Sequence, residues 1–193
     1  PMRWGGNHGT PLRGATFAEG KVGQAFSFDG VNDYVEIPDH PSLNTAPFSI
    51  AFWLSQYSLC TVYADVIVKE GPRGDRNGFI IDQCPQQFYV YTSTWWKWTH
   101  WAPTPLTDTW YHVVVTYDGA TSMKNYVNAV EASRKTDVTG TYLPSSSPLR
   151  FGGNNQVYGG RFWHGKLDEI QFYNRVLSAS EVALLYHAPS ACS

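Results

Sequence analysis

Charge is scarce in this 193-residue chain: Asp, Glu, Lys and Arg make up 16% of it, well below the roughly 25% of an average soluble protein. Aromatic residues are as abundant as charged ones, at 16%. That balance excludes a disordered tail or a coiled coil and describes a chain built to bury rings. There is no basic excess either. The 14 Lys and Arg face 16 Asp and Glu for a net charge of −2, which leaves nothing to neutralise a run of phosphates. Duplex nucleic acid and an anionic membrane are therefore poor partners, and a neutral ligand suits the chain better. No segment approaches the roughly 20 apolar residues that cross a bilayer, and no basic n-region followed by an apolar h-region opens the chain. Cysteine is nearly absent. Cys60, Cys84 and Cys192 form no C-x-x-C pair, which excludes a thiolate zinc site. The six histidines, His8, His40, His100, His112, His164 and His187, show no H-E-x-x-H spacing. There is no G-x-S-x-G elbow and no phosphate-cradling glycine loop.

Alternation is what the chain has instead. Phe48, Ile50, Phe52 and Leu54 fall on one face and Ser49, Ala51 and Trp53 on the other, the pattern of a half-buried strand. Comparable runs cover Ala25 to Phe28, Tyr34 to Ile37, Val66 to Lys69, Gly78 to Asp82, Gln87 to Thr92, Trp110 to Tyr117, Lys124 to Val130, Leu149 to Gly152 and Leu167 to Tyr173. Gly, Pro, Asn and Asp punctuate them. Strands of this length with no helices between them predict an all-β antiparallel sandwich in one domain spanning residues 1–193, with loosely ordered ends at about 1–14 and 187–193. Asp118-Gly119 and the Gly71 to Gly78 run are the expected hairpin connections, and the second carries Cys60 and Cys84 back towards each other. A Cys60–Cys84 disulfide follows from that strand reading, with Cys192 then free or intermolecular. One helix is expected, because Ser178-Ala179-Ser180-Glu181 spells a capping box ahead of Val182, Leu184 and Leu185.

Several motifs occur in a telling order. They are Gly20 to Ile37 (G-K-V-G-Q-A-F-S-F-D-G-V-N-D-Y-V-E-I), Phe48 to Leu54, Trp110 to Gly119 (W-Y-H-V-V-V-T-Y-D-G), Tyr126-Val127-Asn128, and Gly165 to Ser178 (G-K-L-D-E-I-Q-F-Y-N-R-V-L-S) followed by Glu181. In combination they resemble the laminin G-like domains of the concanavalin A-like lectin/glucanase superfamily. The resemblance runs from about Gly20 to Tyr186. It implies a jelly-roll sandwich of two curved antiparallel sheets, an extracellular location with any secretion signal outside this chain, a bound structural calcium, and attachment to a carbohydrate-active or cell-surface protein. The chain departs from the family at Ala129, where a glycine is usual after Tyr-Val-Asn, and in its Trp95 to Trp101 run, which is unusually rich in Trp.

That run is the strongest local feature. Continued regularly from Gln87, the strand points Phe88 and Val90 inward and Tyr89, Tyr91, Ser93 and Trp95 outward. Trp95, Trp96, Trp98 and Trp101 then follow within seven positions, more than one strand buries. Indole faces stack on the C–H faces of sugar rings, and Lys97, His100 and the Tyr hydroxyls supply partners for ring hydroxyls. The expected ligand surface is thus Tyr89, Tyr91, Trp95, Trp96, Trp98, His100 and Trp101, with a polysaccharide or other glycan as partner. For calcium, the turn Asp29-Gly30-Val31-Asn32-Asp33 offers hard oxygen ligands. The resemblance adds Asp168, giving Asp29, Gly30, Asp33 and Asp168 as the expected site.

Retaining glycosidases of the fold that the resemblance implies carry an E-x-D-x-x-E strand signature, which this chain lacks. Asp168 and Glu169 are neighbours that a strand points to opposite faces, whereas retaining glycosidases need two carboxyls about 5 Å apart. A non-catalytic carbohydrate-binding module is the leading expectation. The alternatives are a protein-adhesion module, and a polysaccharide hydrolase or lyase, the last with His100 and Tyr89 or Tyr91 as base and acid.

Overall fold

Alternating runs with one apolar face cannot stand alone in water, and here they close onto each other as two antiparallel sheets. The computed structural model describes residues 8–59, 63–72, 75–84, 86–101, 106–154 and 160–188. In chain order the strands are β1 (Thr10–Leu12), β2 (Thr16–Glu19), β3 (Gln24–Asp29), β4 (Tyr34–Ile37), β5 (Phe48–Gln56), β6 (Asp65–Glu70), β7 (Gly78–Asp82) and β8 (Gln87–Thr92). They continue as β9 (Trp95–His100), β10 (Tyr111–Tyr117), β11 (Met123–Val127), β12 (Val130–Lys135), β13 (Leu149–Phe151), β14 (Gly153–Asn154), β15 (Arg161–Phe162) and β16 (His164–Tyr173), followed by one helix, α1 (Ala179–His187).

The first sheet runs β1-β4-β13-β6-β7-β8-β9 and the second β12-β11-β10-β5-β16-β3-β2, with β14 and β15 as a small separate ribbon. Between the sheets lies one apolar core that includes Phe28, Val35, Phe52, Leu54, Ile67, Phe79, Phe88, Trp101, Phe151 and Trp163. The all-β jelly-roll expectation holds, as does the capping box. The Ser178 hydroxyl accepts from the Glu181 amide, and the Glu181 carboxylate accepts from the Ser178 amide at 2.8 Å.

Four local expectations are corrected. All nine residues of β5 are buried, rather than one face of it. Its second face lies under α1, where Ala51, Val114, Tyr126, Leu177 and Val182 form a second small core. Lys124 to Val130 is not one strand, because Asn128 at φ 48° and Ala129 at φ 67° turn the chain between β11 and β12. Both central residues at positive φ make this a left-handed hairpin turn, and it forces Ala129 into the region that glycine occupies freely. Thr10 to Leu12, expected in a loose end, forms an edge strand on β4. Trp110, expected as the first residue of its strand, lies just before β10 and is half-buried, with the Lys166 ammonium 5.1 Å from its ring.

Candidate functional site

The run from Gln87 to His100 is a tight hairpin rather than one long strand. β8 and β9 pair through Tyr91↔Trp96, Tyr89↔Trp98 and Gln87↔His100. The turn at Ser93-Thr94 resets the alternation, and Thr94 is tied to Thr139 by its hydroxyl. Because Phe88 and Val90 enter the core, the opposite parity places Tyr89, Tyr91, Trp96, Trp98 and His100 on the outer face of the first sheet. Their rings form a row, with Tyr89 to Trp96 at 5.3 Å, Trp96 to Trp98 at 6.5 Å and nearly stacked, and Trp98 to His100 at 4.8 Å edge-on. Trp96 and Trp98 remain 37% and 39% exposed, which is the feature of an open aromatic platform.

Of the seven expected ligand residues, Trp101 is excluded from it by burial, and Trp95, 52% exposed, stands apart from the row. Trp101 is fully buried, and its indole N–H donates to the Asp82 carbonyl at 3.1 Å. The parity that turns Trp96 and Trp98 outward turns Trp101 inward. Trp95, at φ 112°, leaves the row, and its ring is capped by the Arg76 guanidinium at 3.9 Å. Lys97 is corrected too. It pairs with Val90 and shares the inner parity with Thr99, whose hydroxyl meets that of Ser133 on β12.

Cross-strand register continues this parity over β7 and β6, where Val68, Ile80, Asp65, Asp82 and Glu70, which no motif had marked, are buried rather than open. One rung runs Val68, Ile80, Tyr89, Trp98, and the next runs Asp65, Asp82, Gln87, His100. At the other end Glu70 pairs with Gly78. Gly78 sits at φ +82°, with no room for a Cβ against the Lys69 carbonyl. The bare backbone there lets the Tyr91 hydroxyl reach across β7 and donate to Glu70 at 2.7 Å. Tyr89 donates to Gln87. Arg161 lies 3.6 Å from Asp65 and 4.0 Å from Asp82, under the ring of Tyr63.

These carboxyls are under-compensated. Asp82 is 1% exposed with neither oxygen hydrogen-bonded, and Glu70 Oε2 is buried without a partner. Burial, reinforced by the negative charge of Asp65, pushes both the Asp82 and Glu70 carboxyls above their ordinary values. Burial also raises the Tyr89 phenol. The strand alternation of Gly78 to Asp82, set against that of Gln87 to Thr92, is the signal that could have found Asp82.

The expected calcium set does not assemble. Asp29 pairs with His164 while Leu167 pairs with Phe26. Asp168 therefore falls beside the far end of β3, about four residues or 13 Å along the strand from Asp29. Its two oxygens are already used, accepting from the Val22 and Glu169 amides at 2.8 Å each. Asp168 fastens the β2–β3 turn to the bulge in β16 rather than joining the Asp29 turn. Within that turn, Asp33 Oδ2 accepts from the Asp29 amide at 3.0 Å, while Asp33 Oδ1 is buried without a hydrogen-bond partner. Among the described residues, no group of three or more His, Cys, Asp or Glu side chains is arranged to hold a metal ion. Cys84 is disulfide-bonded. Cys60, Cys192, Trp4 and the 155–159 stretch lie outside the described residues.

With two seven-stranded sheets and this face in view, the class is defined. The chain belongs to the concanavalin A-like lectin/glucanases superfamily, whose laminin G-type family model matches residues 29–183. Three solved structures share its fold. Domain 4 of AbnA, an extracellular arabinanase from Geobacillus stearothermophilus seen with arabinotriose, is 21% identical at a TM-score of 0.73 over 93% of this chain and 88% of that one. The binding domain of Paraclostridial Mosquitocidal Protein 1 is 16% identical at 0.78, over 94% of this chain and 47% of that one. The binding domain of Botulinum Neurotoxin DC, in complex with SialylT, is 10% identical at 0.72, over 94% of this chain and 46% of that one. The chain thus spans about half of each toxin binding domain. No curated protein matches the chain.

Proposed function

We propose that the chain is a non-catalytic glycan-binding module that lays a polysaccharide across Tyr89, Trp96 and Trp98. The observation that carries this reading is the row of half-exposed rings on the outer face of the β8–β9 hairpin, which no helix among the described residues covers. Flat apolar rings flanked by polar groups suit a ligand whose faces are C–H and whose rim is hydroxyl. The arabinotriose complex of the arabinanase domain and the SialylT complex of the toxin domain lend support by analogy of fold. A lyase gains no support, because the Tyr89 and Tyr91 phenols that would serve as acid are engaged by Gln87 and Glu70.

The module works outside the cell, joined to a carbohydrate-active or cell-surface protein. A disulfide at Cys84 suits that compartment. A structural calcium is retained for the Asp29 to Asp33 turn alone, where the orphaned Asp33 Oδ1 is the oxygen it would take. Affinity electrophoresis against a panel of neutral polysaccharides, with and without EDTA, tests the reading. Retardation without released reducing ends or unsaturated products is expected. Products would overturn the non-catalytic claim, and a module that none of the panel retards would shift the reading to protein adhesion.

A further inference from the structure

We infer that Trp95 and Arg76 form a charged subsite at one end of the platform, which takes the carboxylate of a uronate unit in the bound chain. The inference rests on the proposed function, since the platform must hold the chain whose next unit the subsite reads.

Two neighbouring connections bring the pair together. Gly78 pairs with Glu70 and Phe79 with Val90, so the residues just before β7 lie at the same end of the sheet as the Ser93-Thr94 turn. Arg76 reaches from the first connection to Trp95 just beyond the second, with its guanidinium carbon 3.9 Å from the centre of the ring. Trp95 directly precedes Trp96, the platform ring at that end. The turn between β8 and β9 is clamped. The Ser93 amide donates to the Thr141 carbonyl at 2.8 Å, the Thr94 hydroxyl to the Thr139 carbonyl at 2.8 Å, and the Thr92 hydroxyl to the Trp95 carbonyl at 2.7 Å. These bonds surround Trp95 at φ 112°, a backbone conformation that a bulky residue rarely keeps and that is found where a site needs it. The side chain presented there is, at 52%, the most exposed indole among the described residues.

Charge separates Arg76 from the cations around it. Lys69 is held by Asp39 at 2.6 Å, Arg150 by Glu36 at 2.9 Å, and Arg161 lies 3.6 Å from Asp65. Arg76 is exposed and, among the described residues, makes no ion pair. Its neighbour Asp75 packs against Gly71. Glu70, at the same end of β6, is buried, and burial favours its neutral form, so it sets little charge against an anion. A guanidinium held over an indole keeps its N–H edge free, and that edge fits a carboxylate through two parallel hydrogen bonds. A sugar hydroxyl offers it one oxygen and no charge. The carboxylate that a polysaccharide carries within its chain is that of a uronate, and a chain stacked on Trp98 and Trp96 brings its next unit to this end.

Titration calorimetry on the whole chain tests this with polygalacturonate and its fully methyl-esterified form, two polymers with one backbone that differ in the carboxylate charge. Polygalacturonate should bind about tenfold more tightly than the ester at low salt, and the gap should shrink at high salt as the ion pair is screened. Arg76→Ala should abolish the gap, and Arg76→Lys should keep a smaller one, because an ammonium lacks the two-pronged edge. Trp95→Gly, which also relaxes the backbone, should close the gap by removing the ring that supports Arg76. Trp98→Ala should instead weaken both polymers by the same factor. Arg76 is exposed, so its variants keep the fold and the outcome does not turn on stability. A wild-type chain that binds the ester as tightly as the acid would overturn the inference, and so would an Arg76→Ala chain that keeps the gap. If Trp98→Ala still lowers affinity in either case, the platform stands and the subsite alone falls. Absence of binding to both polymers would also overturn the inference, and the neutral polysaccharide panel then decides the proposed function separately.

Discussion

The outer faces of the two sheets have been finished in opposite ways. Both carry aromatic rings among polar groups. On the second sheet, Trp53 stacks on Tyr186 of α1 at 5.6 Å and lies tilted against His112 at 5.1 Å, and helix and rings together leave Trp53 only 9% exposed. On the first sheet, Trp96 and Trp98 have no such cover. The covered face solves a packing problem, and the open one leaves apolar surface exposed that only a ligand would bury. Beneath both faces burial favours the neutral form of the ionisable groups. His112 is held neutral, its pKa lowered to about 4 by burial, whereas Glu70 and Asp82 are raised.

The comparison can be broken inside the hairpin itself. Trp101→Ala should cost about 3–5 kcal/mol of stability as a large core ring is removed, read by denaturant unfolding. It should affect glycan binding only through folding. Acid should break the covered face next. The folded-state pKa of His112 lies below its ordinary 6.5, so its contribution is present above that pH and is lost as the pH falls through about 4. Across that window the loss is about 3 kcal/mol, and His112→Gln should flatten it in a pH series of melts. Glu70 and Asp82 act with the opposite sign. Their contribution is present below the ordinary carboxyl range and fades as pH rises through their raised values.

Smaller effects sharpen the contrast. Trp96→Ala and Trp98→Ala should each weaken glycan binding about tenfold, or about 1.4 kcal/mol, while the melting temperature stays put because the rings are already half in water. Ser178→Ala should cost about 1 kcal/mol through the lost helix cap and raise hydrogen exchange in α1, uncovering Trp53. Ala129→Gly should gain up to about 1 kcal/mol by relieving a left-handed alanine, measured as a rise in melting temperature.

Much of this was legible in the sequence because period-two alternation and helix caps are local signals. Phe48 to Leu54 and the Ser178 box each declare themselves within a few residues. The errors came where a distant partner or a single turn decides. Ser93-Thr94 carries no Gly or Asn to announce a hairpin, so the parity of Trp95 to Trp101 was read without the reset that buries Trp101. The second face of β5 is closed by a helix more than a hundred residues downstream, which alternation within β5 cannot reveal. Asp168 stood in a family motif, yet the β3–β16 register places it away from Asp29. Glu70 and Asp82 sit in short apolar strands where an acidic residue reads as a strand end, and only the pairing of β6, β7 and β8 brings them beside the rings.

Indole N–H resonances offer the most direct test of the central claim, since the described Trp side chains include ones in the core, on the covered face and on the open one. Titrated with arabino-oligosaccharide, the protein should shift the signals of Trp96 and Trp98 and leave those of Trp53, Trp101 and Trp163 in place. Shifts centred on Trp53, with Trp96 and Trp98 unmoved, would contradict the account and move the binding face to the other sheet.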